Sequence, residues 1–337
     1  MQICFTPGLW VSWVWSGKLK VIRQKGREMI SQKKKWIGLL FVLSYSPTFA
    51  QFSEPVLKTS QRGLRYQEIV VTAKSSVESC FVFSCTTKIV PIRGLLWLPE
   101  KSASQLKIVV FSHGAQGPTP SRPTGLDPDQ AGLVGEYFRK GYAVLMAYRK
   151  GRSVNDLPES EVSADDVESN SCNADLRAGV KSATADLKAY LQLLSTRSDL
   201  DTSSILLMGH SRGGATSLAV AAEGYPGVAG VINIAGGWMS PYVMWGGNAG
   251  SVCNPAFNPV LFEDIGNKLN VPVLSLYGSN DPFFNVEHIK RNLSFLGKRA
   301  SADYLIVEGA DHRAHLGAAR PIWETKQTTF LQLIGHR

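Results

Sequence analysis

Apolar positions in this chain fall into two patterns that alternate along most of its length. Residues 106–112, 142–148, 205–208, 228–235, 271–277 and 304–307 are short, largely apolar runs that predict strands. The runs at 106–112 and 205–208 lack alternation and predict strands buried in the sheet. Between them lie stretches with helical spacing: residues 133–140, 174–194, 215–222, 286–296 and 322–334. In residues 174–194 the stripe is Leu176, Val180, Ala183, Leu187, Tyr190 and Leu194. Strands alternating with helices predict a mainly parallel, doubly wound α/β sheet covered on both faces. Upstream, residues 66–72 alternate as a strand, residues 77–85 are ambiguous, and residues 87–98 predict a long strand interrupted at Pro91 and Gly94. Residues 236–270 carry neither pattern. They are rich in Gly, Asn and aromatics and are expected to form a small irregular cap between the strands at 228–235 and 271–277.

The sharpest change of pattern is at residues 205–222. A buried strand breaks at Gly209-His210-Ser211-Arg212-Gly213 and an alanine-rich helix follows. Strand, G-x-S-x-G, helix is the context of a nucleophile elbow, where a tight turn lifts a serine to the carboxyl edge of the sheet. Ser211 is therefore the candidate nucleophile, and the next N–H, that of Arg212, a candidate oxyanion donor. Serine needs a base, and the base needs a carboxylate to orient it. Such groups belong just past strand ends. Asp281 follows the strand at 271–277 and His312 follows the strand at 304–307, so the triad reads Ser211, Asp281, His312 in chain order. His315 stays open as an alternative base. Asp264 is a second acid, expected to be solvated because it precedes a strand. His113 and His210 are expected to buttress the loop and the elbow through hydrogen bonds. Arg149, Lys150, Arg152 and Arg212 either rim a site for an anionic substrate or pair with Asp165, Asp166 or Glu168.

Residues 94–99, His113-Gly114, residues 141–144, the elbow, residues 277–282 and Asp311-His312 together resemble the α/β-hydrolase superfamily from about residue 64 to the C-terminus. The resemblance is greatest to its dienelactone hydrolase and prolyl oligopeptidase-like branch. It implies Ser211 as nucleophile, His312 as base then acid, Asp281 as its orienting partner, and the Ala115 N–H of the His-Gly loop as second oxyanion donor. Two departures stand out. Dienelactone hydrolases proper use a cysteine nucleophile, so their substrate does not carry over. Prolyl oligopeptidases carry a propeller, and the stretch between Gln51 and the His-Gly loop is too short for one. In this superfamily cap insertions occupy the place of residues 236–270. Trp238, Tyr242, Trp245 and Phe257 would then form an aromatic wall for substrate, or alternatively core packing at the sheet edge.

Composition adds a compartment and removes a partner. The 337-residue chain carries a net charge of +9, but residues 1–50 hold eight Lys/Arg and one acid, so the rest is nearly neutral. Charge therefore gives no argument for nucleic acid. Lys33-Lys34-Lys35 precede an apolar run at residues 36–45 and then Pro47-Thr48-Phe49-Ala50. This is the pattern of a secretory signal cut after Ala50, too short to span a bilayer. An uncleaved anchor or a short buried helix are the alternatives. Met29 sits where such a signal starts, leaving residues 1–28 either upstream of the native start or, through Trp10, Trp13 and Trp15, a membrane-touching segment. A leader follows at residues 51–63 and one catalytic domain at residues 64–337. Export permits disulfides, expected as Cys80–Cys85 and Cys172–Cys253. Metal spacing is absent around the cysteines, and no cofactor is expected.

The expected protein is a secreted or periplasmic serine esterase acting on a small-molecule ester or amide, without a stable membrane anchor. A small exopeptidase or acyltransferase on the same triad, and a non-catalytic binding protein of the same fold, are the competing readings.

Overall fold

The computed structural model describes residues 57–59, 64–81, 84–99, 105–114, 132–150, 176–238, 256–315 and 320–336. Nearly all belong to one compact unit, Pro55–Ser79 with Cys85–Arg337. The expectations for the signal segment, Ala115, Arg152, Tyr242, Trp245, Cys172 and Cys253 fall outside the described residues, as do the side chains of Cys80 and Cys85.

Among the described residues nine strands form a single sheet: β1 (Leu57–Thr59), β2 (Arg65–Phe81), β3 (Ser84–Trp97), β4 (Leu106–Ser112), β5 (Ala143–Ala147), β6 (Leu200–His210), β7 (Val228–Ile234), β8 (Val273–Gly278) and β9 (Ala302–Val307). Their order is β1-β2-β3-β5-β4-β6-β7-β8-β9. β5, β4, β6, β7, β8 and β9 pair in parallel, while β1–β2 and β3–β5 are antiparallel. The predicted parallel sheet is present, extended by an antiparallel arm longer than the sequence suggested. β2 and β3 are continuous where alternation was weak. Pro91 does not interrupt β3, and β3 meets β5 over Leu95–Trp97, beyond the proline.

Six helices are described: α1 (Gly132–Arg139), α2 (Leu176–Leu194), α3 (Arg212–Ala222), α4 (Phe257–Gly266), α5 (Val286–Leu296) and α6 (Arg320–Leu333). The period-2 geometry of the strands sends successive side chains to opposite faces. Ile108, Val110, Ile205 and Leu207 pack with Leu187, Leu191, Leu218, Phe262 and Ile289, which places α2, α3, α4 and α5 over one face. Val109, Phe111, Leu206 and Met208 pack with Tyr137, Phe138, Trp323 and Phe330, which places α1 and α6 over the other. Unbroken apolar strands are what this burial on both sides requires. The helix predicted at 133–140 ends as expected at Gly141, whose φ of +87° lies in the left-handed region that glycine enters without strain.

The expected cap needs one correction. Residues 257–266, expected to be irregular, form α4. Phe257, Leu261, Phe262 and Ile265 have helical spacing, and Pro259 sits in the first turn, where no intrahelical donor is lost. The preceding Gly- and Asn-rich residues concealed that short stripe. Tertiary packing completes it: a Cβ on Gly266 would come within 2.0 Å of the Phe295 carbonyl oxygen on α5.

Candidate active site

The elbow follows directly from backbone crowding. Ser211 has φ 55° and ψ −122°, a conformation costly for a residue with a Cβ. The chain makes this turn because its neighbours are glycines. A Cβ on Gly209 would lie 2.1 Å from the Gly213 carbonyl oxygen, and one on Gly213 would lie 2.0 Å from that of Ser112. The Ser211 N–H donates to Ile234 O at 2.8 Å, tying the turn to the end of β7. Arg212 is the first residue of α3, so its N–H stands at the positive end of the helix. β4 runs beside β6 with Ser112 opposite Gly209, which delivers His113-Gly114 to the same edge.

The acid and the base come from adjacent strand ends. β8 and β9 stay in register to Gly278 and Val307. Past them the loops lie backbone to backbone: Ser279 N–H donates to Val307 O and Asn280 N–H to Ala310 O, each at 2.9 Å. Asp281 Oδ2 receives His312 Nδ1–H at 2.7 Å. Its Oδ1 accepts the N–H groups of Phe283 at 2.8 Å and Phe284 at 3.2 Å, so the carboxylate is held from three directions. The Asp281 side chain is fully buried, while that of His312 keeps 14% exposure. The rings of Phe283 and Phe284 lie 4.7 and 5.9 Å from the His312 ring. His210, the neighbour of Ser211 in the chain, donates Nε2–H to the His312 carbonyl at 2.9 Å, with the two rings 4.8 Å apart. The structure thus brings the elbow, Asp281 and His312 to one place.

His315 does not take the base position. Its ring lies 5.4 Å from that of His210, and it is His312 that meets the carboxylate. Burial, with His312 next in weight, pushes the His315 pKa down to about 4. Burial and then the neighbouring His312 and His315 push His210 down to about 3. Both are therefore neutral; His210 acts through its hydrogen bond and His315 by packing against the His210 ring. Asp264 is exposed on α4, 3.5 Å from Arg177, as expected of a solvated acid.

The cationic rim is overturned for three of its four members. Arg149, Lys150 and Arg212 are 3%, 3% and 2% exposed. Lys150 pairs with Asp186 of α2, while Asp165, Asp166 and Glu168 fall outside the described residues. The Arg212 guanidinium lies over the Trp238 ring, 5.2 Å from its centroid. Trp238 departs from the expected substrate wall for the same reason: it is 1% exposed and packs against Leu176, Val180, Ala183 and Ala215. Its backbone N–H donates to Asn258 Oδ1 at 2.7 Å, and Phe257 leans on the same cluster. Both aromatics hold α4 to α2 and α3.

Asp186 was missed, although a signal existed. An acid spaced three and four residues from Ala183 and Tyr190 lies on the apolar stripe of α2, and a charge there needs a buried partner. Asn233 was missed similarly, as one polar residue in the apolar β7. Its Nδ2 donates to Ser275 Oγ at 3.2 Å and Tyr277 Oη at 3.1 Å, and Tyr277 donates to Gly236 O at 2.6 Å, fixing the segment behind the elbow.

The dienelactone hydrolase family model matches residues 92–316, which contain all of these groups. The chain belongs to the dienelactone hydrolase family. Among solved structures it is similar to an esterase of Pyrococcus furiosus, at 13% identity and TM-score 0.52, over 82% of this chain and 98% of that one. Est1E from Butyrivibrio proteoclasticus matches at 15% identity and TM-score 0.50, over 79% and 99%. The acylaminoacyl peptidase of Pyrococcus horikoshii matches at 15% and 0.52 over 82% of this chain but only 42% of its own. A comparison with curated proteins finds no match. The fold is that of the α/β hydrolases, and the family is one of hydrolases. Among the described residues no helix is long and apolar enough to cross a membrane.

Proposed function

We propose that this protein is an exported serine hydrolase that cleaves carboxylic esters of small molecules through an acyl-enzyme. The observation that carries the reading is the 2.7 Å His312–Asp281 hydrogen bond, set beside a strained serine elbow. With Nδ1–H donated to the carboxylate, the Nε2 lone pair of His312 is the basic site. His312 takes the Ser211 proton as Oγ attacks the ester carbonyl, and the carbonyl oxygen becomes an oxyanion facing the Arg212 and Ala115 N–H groups. The C–O bond to the alcohol breaks, the imidazolium returns its proton to the leaving oxygen, and water repeats the cycle to release the acid. Every proton is carried by the protein, and the chemistry calls for no cofactor.

Labelling with a fluorophosphonate should modify Ser211 and be lost in Ser211→Ala. Turnover of p-nitrophenyl acetate together with inertness toward aminoacyl anilides would select ester over peptide hydrolysis; the reverse preference would sink the ester assignment. For export, the Lys33–Lys35 and Ala50 pattern leads to a mature chain beginning at Gln51. Mass spectrometry of the exported protein checks that terminus. Tyr242 and Trp245 are assigned to the substrate wall; Trp245→Ala should reorder kcat/KM across esters of different size and leave the melting temperature nearly unchanged.

A further inference from the structure

Two consecutive cations, Arg149 and Lys150, follow β5, and both are 3% exposed. Lys150 is anchored twice by Asp186, whose Oδ1 pairs with its ammonium and whose Oδ2 accepts its backbone N–H at 3.0 Å. That anchor fixes the chain beside Arg149. The Arg149 guanidinium reaches the loop after β4, where Nη1 donates to His113 O at 2.6 Å and Nη2 to Gly114 O at 3.0 Å. The Arg149 N–H donates to His113 Nε2 at 3.2 Å, so the ring proton resides on Nδ1. Nδ1–H in turn donates to Gly114 O at 2.7 Å. One carbonyl oxygen therefore receives a charged donor and a ring donor at once.

That carbonyl shares its peptide unit with the N–H of Ala115. The unit is planar and trans, so its C=O and N–H point in opposite directions. Gripping the oxygen fixes where the N–H is aimed, and donors on the oxygen strengthen the N–H as a donor. Gly114 also lies against the nucleophile: a Cβ there would stand 3.2 Å from Ser211 Cβ and 3.1 Å from His210 Nδ1. We infer that Arg149 is a positioning residue, which, with His113, aims and polarises the peptide N–H after Gly114 toward the oxyanion formed at Ser211. The inference rests on the serine-hydrolase reading above. Arginine suits the task because its rigid planar fork spans two successive carbonyls, which a single ammonium does less well.

The test uses Arg149→Lys and Arg149→Ala in the full chain, with p-nitrophenyl acetate as substrate and phenylboronic acid as a tetrahedral-adduct mimic. Arg149→Lys should lower kcat about 10- to 100-fold, less than outright loss of an oxyanion donor. KM should stay within a few-fold, and boronate affinity should fall by the same factor as kcat/KM. Millimolar guanidinium should restore part of the Arg149→Ala rate. A kcat in Arg149→Lys within twofold of wild type would overturn the assignment, as would a lost rate with unchanged boronate affinity. Loss of the folded state in both variants would make Arg149 structural and overturn it too. A wild-type chain that neither turns over ester nor reacts with fluorophosphonate would instead remove the serine-hydrolase reading, and this inference with it.

Discussion

Strand β6 brings a serine to a histidine twice, once in its first half and once just past its end, and only the second place has the parts of an active site. In the first half, Ser204 Oγ lies 2.8 Å from His336 Nε2, and that nitrogen also lies 3.0 Å from Ser204 O. Past the end stands Ser211, next in the chain to His210, whose Nε2 bonds the His312 carbonyl. Ser204 lies where β6 bulges, between the pairings of Asp201 with Lys107 and of Ile205 with Ile108, and it has no positive-φ turn to raise its hydroxyl. His336 Nδ1 has no hydrogen-bond partner among the described residues. Asp201 is near, but its Oδ1 accepts from Ser203 N–H and Oγ–H instead. His312 has what His336 lacks: a buried carboxylate on Nδ1 and, beside it, the N-terminus of a helix. A Ser–His hydrogen bond is thus enough to tie down a chain end. Orientation by an acid and presentation of the serine on a strained turn are what separate a nucleophile from a packing contact.

The largest test of this contrast is removal of each serine. Ser211→Ala should lower kcat by about 10⁴-fold or more, as removing a triad nucleophile does, whereas Ser204→Ala should leave turnover intact. Equal losses in the two variants would break the distinction. Next is the acid. Asp281→Asn should cost about 10⁴-fold in kcat by destroying the tautomer preference of His312, and Asp201→Asn should cost none. His312→Ala should likewise abolish turnover while His315→Ala retains most of it; the opposite result would move the base by three residues.

A smaller effect is read in stability against pH. His210 and His315 have folded pKa values of about 3 and 4, below the ordinary 6.5, because burial disfavours their charged forms. Between those values the unfolded chain binds more protons, so stability is full above about pH 6.5 and falls as pH drops toward 4. Each histidine contributes a slope of up to about 1.4 kcal/mol per pH unit. Burial lowers His336 as well. His210→Gln and His315→Gln should flatten the acid limb of reversible unfolding more than His336→Gln does; an unchanged limb would contradict neutral burial of the pair. The smallest effect is at the quiet end of β6, where Ser204→Ala should cost about 1 kcal/mol of stability through one lost hydrogen bond, measured by denaturant unfolding.

Much of this molecule is written in local pattern. Unbroken apolar runs announce β4 to β8 because a strand covered on both faces has no solvent side on which to place polar residues. Gly209, Ser211 and Gly213 announce the elbow because few residue types tolerate that backbone. Strand ends announce Asp281 and His312. The charged residues go the other way. In sequence Arg149 and Lys150 look like a rim, since long cations favour water unless a partner is supplied, and their partners lie 36 residues away, on another loop and another helix. Trp238 and α4 escape for a related reason: whether an aromatic lines a pocket or fills a core depends on what packs over it. The sequence preferred His312 and left His315 open, and the fold shows which of the two meets Asp281. Residues whose role is set by their own backbone and immediate neighbours are legible before the chain folds. The partners of buried charges and rings are not, because burial and pairing are properties of surfaces that meet only after folding.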